Sequence, residues 1–212
     1  MIDVGYLYDK VEDILVKNQS GYSGNDQFNR DLVLMQQLLM EFLLPNSDNE
    51  RTHESLRKFI KTVSGSGTIA YPSDWQYKLN AKAHQVIGDV AEHGAYFMAT
   101  DELYLELESP IRKPSVKGRF RYALDSDGIK CYPTTVPFTI SYVRQPTVAT
   151  RAVTPDNAND VENYNAGASV HLEWPESELP RVVDIMCWLR GVQVNKSEVV
   201  NWLASKQVTM TP

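Results

Sequence analysis

Apolar residues recur at helical spacing through the first sixty positions. Val4, Leu7, Tyr8, Val11, Ile14 and Leu15 predict a helix over residues 3–18, with Gly21 at a natural C-cap position. A longer helix is expected over 24–44. Ser23, three residues before Asp26, reads as a capping box. The Ser23 hydroxyl would accept the Asp26 N–H, and the Asp26 carboxylate would reach back to the Ser23 N–H. Pro45 stops this helix, because its predecessor is driven out of helical geometry. Phe28, Leu32, Met35, Leu39 and Phe42 form one stripe, and Val33, Leu34, Leu38 and Leu43 widen it until little polar face remains. A helix apolar nearly all round is buried on most sides. It is either the centre of its domain or shared with a neighbour. The polar linker NSDNER leads to a third helix near 50–62, with Leu56, Phe59, Ile60 and Val63 on one side.

At SGSGT, residues 64–68, the pattern changes to β-prone runs. TIAYPSDWQY mixes such residues with Pro72, and a strand is expected around 84–92. ATDELYLELESP, residues 99–110, reads as a short helix with Thr100 as N-cap and Pro110 as its stop. RFRYALDSDGIKCYP, residues 119–133, is a hairpin around Asp127-Gly128, and PFTISYVRQP, residues 137–146, is a further strand. Residues 150–168 are polar and read as an exposed loop. VHLEWP returns briefly to strand, PESELPRVVDIMCWLRG makes a helix ending at Gly191, and NKSEVVNWLASKQ, residues 195–207, makes a last one.

The expected fold class is therefore α+β, with a small antiparallel sheet inserted between helical ends. Residues 1–63 form an N-terminal helical bundle. Residues 64–149 form the central small antiparallel β-sheet insert with a short helix. Residues 150–169 are a polar loop or arm. Residues 170–212 hold a short strand and two C-terminal helices that pack back on the bundle.

Composition changes this picture little: 42% hydrophobic and 23% charged residues suit a globular core. Charge matters more. A net charge of −6 gives no general attraction to nucleic acid or an anionic membrane, so any phosphate contact needs a local basic patch. Cys131 and Cys187 fit neither a disulfide framework nor a zinc knuckle, and two free buried thiols are expected. The N-terminus lacks an apolar core of signal-peptide length, and no run approaches the roughly 18 apolar residues of a membrane span. No membrane partner is expected. The glycosylation patterns at Asn18 and Asn195 are read as chance.

Chemical motifs are sparse. Asp89, Glu92 and His93 are metal-friendly types without the paired histidines of metalloprotease helices, and solvent-facing polar residues are the simpler reading. SGSGT has no Lys-Ser/Thr and follows a helix, so it is no phosphate loop. The carboxylates of DELYLELE read as a solvated helix face. No metal, cofactor or catalytic residue is expected. The run SPIRKPSVKGRFR could meet phosphates through Arg112, Lys113, Lys117, Arg119 and Arg121; a solvated loop is the alternative. The two C-terminal helices have the spacing of a helix-turn-helix, but the second is too poor in basic and amide side chains to read DNA. Trp188 and Trp202 suit helix-to-helix packing within or between subunits, as do Leu34 and Leu38 on the long helix.

Several pieces recur in a set order. They are KNQSGYSGNDQFNRDLVLMQQLLMEF after an opening helix, then YPSDWQY, ELYLELESPIRKP, GIKCYPTT and ISYVRQPTVA, and finally LEWPESELPRVVDIMCWLRG with its closing helix. This order resembles the tail-ring and head-to-tail adaptor proteins of short-tailed phages, especially crAss-like and related phages of Bacteroidetes hosts. The resemblance implies a structural protein without a catalytic site. Copies would close into a dodecameric ring beneath the portal and around the DNA channel, touching the portal and/or adjacent tail-ring proteins. Packaged DNA would be met only transiently. The protein would reside in the virion tail or neck after assembly in the host cytoplasm. A helix apolar on most sides would then face neighbours through heterologous interfaces, and the basic loop at 111–121 or the arm at 150–168 would be an extension. Three other readings compete: an interaction module outside any virion, an enzyme of unrecognised signature and a DNA-binding regulator. A ring-sized oligomer, a deep pocket with shifted titratable groups, and salt-dependent DNA affinity discriminate among them.

Overall fold

The computed structural model describes residues 1–17, 24–46, 54–87, 90–109, 112–115, 119–156, 161–192, 201–202 and 204–205. The α-helices are α1 (Val4–Lys17), α2 (Asn25–Leu43), α3 (Thr100–Glu108) and α4 (Leu179–Leu189). The strands are β1 (Ile60–Gly65), β2 (Thr68–Ile69), β3 (Trp75–Ile87), β4 (Val90–Gly94), β5 (Tyr96–Phe97), β6 (Arg121–Asp125), β7 (Gly128–Tyr132), β8 (Phe138–Arg144), β9 (Val153–Asp156) and β10 (Val161–Tyr164). The chain divides into two compact units. Residues 1–58 and 146–212 make unit 1, and residues 59–145 make unit 2.

Unit 1 holds α1, α2 and α4. Val4, Leu7, Val11 and Leu15 bury one face of α1, and Asp3 caps it by accepting the Tyr6 N–H at 2.8 Å. α2 starts after Gly24, which has no capping side chain; Ser23 of the expected capping box lies outside the described residues. The reading of α2 as buried on most sides is corrected. Phe28, Leu32, Met35, Leu39, Met40 and Leu43 are buried together with Asp31 and Gln36, whereas Leu34 is 47% exposed and Val33, Leu38 and Phe42 are half-buried. Polar residues take inward positions on α2 because they have partners there.

Those partners come from the far end of the chain. The Gln36 amide donates to the Thr147 carbonyl at 2.9 Å and accepts the Ala149 N–H at 3.1 Å. The Asn29 amide donates to the Arg151 carbonyl at 3.0 Å and accepts the Arg151 N–H at 2.8 Å. The seven helical residues between the two amides rise about 10.5 Å. Three residues of extended chain cover about 10 Å, so each amide meets a backbone station of the segment 147–151. Arg151 then turns inward. Its guanidinium lies 3.9 Å from the Tyr8 ring centre and 5.5 Å from that of Tyr164, and it donates to the Asn25 side chain at 3.0 Å. Bridges Thr150–Val170 and Ile2–Leu172 extend the framework. α4 buries Val182, Ile185 and Met186. It ends in a Schellman motif, with Gly191 at φ +73°, its N–H on the Trp188 carbonyl and the Val192 N–H on the Cys187 carbonyl.

Unit 2 is all sheet except α3. One sheet is antiparallel in the order β1-β8-β3-β4; the other is mixed in the order β2-β7-β6-β5, with β5 parallel to β6. β1 runs into β2 through Ser66-Gly67, and β4 into β5 through Ala95. Each edge of one sheet thus continues covalently into an edge of the other. Phe120, Ile129, Cys131, Phe138 and Ile140 belong to the apolar core formed from both sheets. Gly128 opens β7 at φ +137°, and a Cβ there would sit 2.5 Å from the Ile69 carbonyl oxygen, so glycine is required. The turn residues of that hairpin are Ser126 and Asp127, with Gly128 already in the return strand.

The expected fold class is corrected. The chain is mixed α/β, with helices and three sheets interspersed, in place of helical ends around one small antiparallel sheet. Of the third helix expected near 50–62, the described residues 54–56 are α-helical and Arg57–Phe59 a 3-10 turn, but Ile60–Gly65 is strand β1, paired with β8 from Ile60–Val143 to Gly65–Phe138. The polar stretch expected as a loop or arm holds the β9–β10 hairpin and a 3-10 turn at Ala166–Ala168. Its Tyr164 packs so closely on Gly5 of α1 that a Cβ there would lie 2.5 Å from the ring. α3 matches the expected short helix, with Ala99 and not Thr100 at its N-cap. Asn18, Asp89, Lys117, Asn195 and the linker from 47 to 51 lie outside the described residues, as does most of the last expected helix.

Candidate interaction surfaces

On unit 1, Leu34, Leu38 and Phe42 follow one another at four-residue steps along the outer side of α2. The row begins at exposed Leu34. At Phe42 it meets Trp202, whose ring lies edge-on at 5.5 Å, and the Arg181 guanidinium at 5.6 Å. Arg181 is held there by Glu178 at 2.8 Å. The fully buried Glu178 carboxylate also accepts the Ser55 hydroxyl at 2.6 Å. Nearby in sequence, Arg190 Nε lies 2.5 Å from Asp31 Oδ2, an ion pair too poorly aligned to count as a hydrogen bond. Of the four expected contact residues, Leu34 and Leu38 share one α2 row, and half-buried Trp202 packs on Phe42 at the end of that row. Trp188 is half-buried in the last turn of α4.

On unit 2 the exposed large apolar side chains are mostly aromatic, and three of them, Tyr96, Phe97 and Tyr104, lie against a cation. Tyr96 is 67% exposed under the Arg121 guanidinium at 5.3 Å; Phe97 is 54% exposed under the Lys78 ammonium at 5.3 Å. Exposed Tyr104 and Leu105 come from α3, and the Tyr104 ring and hydroxyl both engage Lys130, the hydroxyl at 3.1 Å. These cations are pinned. Glu106 holds Arg121 at 3.2 Å, Asp125 holds Lys130, and the Tyr122 hydroxyl accepts from Lys78. The Lys130 ammonium keeps the Asp125 carboxyl below its ordinary range, and Asp125 together with Tyr104 drives the Lys130 pKa upward.

This splits the basic run. Arg121 is turned toward Glu106, and that carboxylate is accordingly no simple solvated group. Arg112, Lys113 and Arg119 stay exposed, and Lys117 lies outside the described residues. Ser109 fixes the start of the loop by accepting the Arg112 N–H on its hydroxyl and the Lys113 N–H on its carbonyl. Ser115 and Arg119 then exchange backbone hydrogen bonds at 3.2 Å. Arg112 shares a depression of about 320 Å³ with Met98, Glu102, Leu105, Glu106 and Ser109.

A second cleft, of about 270 Å³, is lined by Trp75, Gln76, Tyr77, Lys78, Phe97 and Leu124. Trp75 forms its rigid end, stacked on Tyr142 at 5.0 Å and edge-on to Tyr71 at 5.3 Å. Tyr142 is itself anchored by donating to Asp74 at 2.9 Å, and Asp74 takes the Lys61 ammonium at 2.7 Å. The hydrogen bond from Lys61, and then that from Tyr142, hold the Asp74 carboxyl below its ordinary range; burial raises the Tyr142 hydroxyl. The sequence reading finds β-prone residues around Pro72 in TIAYPSDWQY and no cleft. The register shifts between Trp75, paired with Arg144, and Tyr77, paired with Val143, so simple alternation does not place the two rings on one side.

The remaining chemistry-bearing residues are dispersed. His84 Nε2 lies 2.6 Å from the Thr139 hydroxyl, which in turn meets Ser64 at 2.9 Å in a cross-strand polar ladder. His93 is not the solvent-facing residue expected: it stacks on Phe120 at 5.5 Å with Nε2 shut off from solvent. His171 Nδ1 lies 3.3 Å from both the Val4 N–H and the Asp3 carboxylate. Cys131 and Cys187 are free and buried, and burial pushes their thiols up to about 12 and about 11. Among the described residues no group of three or more His, Cys, Asp or Glu could hold a metal, and no helix is long and apolar enough to cross a membrane. No protein-family model matches the chain, and no curated protein matches it in sequence.

Proposed function

We propose that the chain is a structural subunit of a phage virion that forms a ring in the head-to-tail connector or tail, around the DNA channel. The family resemblance supplies the virion setting. The observation that carries the assembly role is that each unit exposes its own apolar surface. Unit 1 offers exposed Leu34 with half-buried Leu38 beside it on α2, and unit 2 offers Tyr96, Phe97, Tyr104 and Leu105. A ring built from heterologous contacts needs two different surfaces on every subunit, one giving and one receiving. Grouped exposed apolar side chains favour interaction over a monomer's scattered ones.

Charge is consistent with that arrangement. Unit 1 has eighteen Asp and Glu against eleven Lys and Arg; unit 2 has nine against ten. An acidic face meeting a near-neutral one avoids like-charge repulsion between copies. An acidic balance also keeps a sliding duplex from being gripped, since each added phosphate contact raises affinity steeply.

Native mass spectrometry of the purified chain, alone and mixed with its cognate portal, tests the reading. A closed ring of many copies is expected, with Leu34→Asp preventing closure. A chain that stays monomeric and ignores the portal would remove the connector position and leave a single-partner interaction module.

A further inference from the structure

Two helix faces, one on each unit, match one another in charge as well as in apolar character. On unit 1 the outward stripe of α2 is Arg30, Leu34, Gln37 and Glu41, at steps of four, three and four, and each of these residues is exposed. Arg30 meets the Gln27 amide at 2.8 Å and no carboxylate among the described residues. From the helix N-terminus the stripe therefore runs cation, leucine, amide, carboxylate.

On unit 2, α3 buries Leu103 alone. Thr100 fixes the helix start by donating to the Leu124 carbonyl at 3.2 Å, and Glu106 fixes the next turns on Arg121. The outward side stays bare. Leu105 is 71% exposed, more than any other large apolar side chain among the described residues. It shares the depression of about 320 Å³ with Met98, while Glu102 lies one turn earlier on α3 and Arg112 lies past the helix end, its N–H held by the Ser109 hydroxyl. Neither Glu102 nor Arg112 is in an ion pair among the described residues. This face runs carboxylate, leucine, cation.

We propose that α2 of one copy seats in the α3 depression of the next copy, the two helices parallel, with Leu34 on Leu105, Arg30 facing Glu102 and Glu41 facing Arg112. The axial spacings are compatible: Arg30 precedes Leu34 by about 6 Å of helix rise, and Glu102 precedes Leu105 by about 4.5 Å. Antiparallel seating would set Arg30 on Arg112 and Glu41 on Glu102, so like-charge contacts exclude it and fix the direction. An antiparallel pair of α2 helices also matches Arg30 to Glu41, but it sets Leu34 against Gln37 and leaves Leu105 bare; the α3 depression gives Leu34 an apolar floor. The contact joins different surfaces of two copies, as heterologous assembly requires. It rests on the ring reading and names the neighbour contact within it.

Disulfide trapping tests it. Leu34→Cys and Leu105→Cys chains are mixed, in solution and on the cognate portal, and oxidised; the native thiols Cys131 and Cys187 are buried. Mixed dimers are expected beyond random pairing. In that background Arg30→Glu and Glu102→Arg should each lower trapping about two- to five-fold, the scale of an exposed charge pair. Mixing the two reversed chains so that Glu at one site meets Arg at the other should recover it, which a general loss of fold would not do. Both leucines are exposed, and thermal unfolding checks each variant. A ring without mixed trapping, dimers of the Leu34→Cys chain in its place, or no recovery on combining the reversals overturns this contact and leaves the ring reading standing. Mixed dimers without any ring support the contact and overturn the ring; neither ring nor trapping overturns both.

Discussion

Unit 1 and unit 2 solve the problem of holding a chain together in opposite ways. Unit 2 is one continuous segment whose sheets are zipped by backbone ladders around an apolar core. Unit 1 is made from two segments separated by the whole of unit 2, and side chains do the joining. Gln36 and Asn29 reach the segment 147–151, Asn25 reaches Arg151, Ser55 reaches Glu178, and Asp31 pairs with Arg190. A ladder repeats the same bond and tolerates the loss of any one. A set of individual brackets concentrates the closing interactions in a few residues, each buried or half-buried. The sheet unit should therefore fail through its core, and the helical unit through its polar links.

The largest expected effect is on the core. Phe138→Ala empties a fully buried site beside Phe120 and should cost about 3–5 kcal/mol. Urea unfolding followed by hydrogen exchange would show protection lost first within 59–145; equal loss across 1–58 would break the distinction between the units. Next comes Arg181→Ala. It leaves the fully buried Glu178 carboxylate with only the Ser55 hydroxyl and should cost roughly 3 kcal/mol. Adding Glu178→Gln should restore part of that stability, and failure of the double variant to recover would deny the pair its role. Gln36→Ala strands the Ala149 N–H and the Thr147 carbonyl, for about 1–3 kcal/mol. Thermal melts of Gln36→Ala, Asn29→Ala and their combination should show the two losses adding, because their partners differ.

The smallest effect is on acid sensitivity, and it belongs to unit 2. The Asp74 carboxyl is held below its ordinary value of 3.8 by Lys61 and Tyr142. Its unfolded form therefore takes up a proton more readily than its folded form. The stabilisation is complete above about pH 4 and disappears as pH falls through the lowered folded pKa. Asp74→Asn should flatten the loss of urea stability as pH falls below about 4; an unchanged slope would show that other carboxylates set it.

Much of this architecture was readable where the signal was local. The apolar spacing of α1, the acidic start of α3, the hairpin signal around Asp127 (its turn displaced by one residue to Ser126-Asp127) and the alternation of β8 each lie within one short window. The misread parts lack such a window. Ile60 and Val63 fit a helical period with Leu56 and Phe59, and what makes 60–65 a strand is its pairing with residues some eighty positions later. Asp31 and Gln36 look like solvent residues on α2 until Arg190 and the 147–151 segment supply their partners. The 150–169 stretch is too polar to suggest order by itself; Tyr164 against Gly5 and Arg151 among Tyr8, Tyr164 and Asn25 provide it. The aromatic cleft draws residues from three strands, β3, β5 and β6, which no short window contains. Arg121 belonged to a basic run on paper, and its pairing with Glu106 from α3 takes it out of that run.

The bracket between Gln36 and Thr147 also sets a clock. Its two residues are 111 positions apart, and a ribosome adding about 5–20 residues per second separates them by roughly 6–20 s. For that interval the newly made α2 has emerged while the segment that satisfies its amides has not. The whole of unit 2 is synthesised meanwhile, with every strand partner it needs. The inserted sheet unit can therefore be finished before the frame around it closes. Its first and last strands pair side by side at Ile60 and Val143, so a completed insert delivers the returning chain close to where the outgoing chain left. Synthesis order thus makes unit 2 the tether that shortens the search by which residues 147–151 find α2.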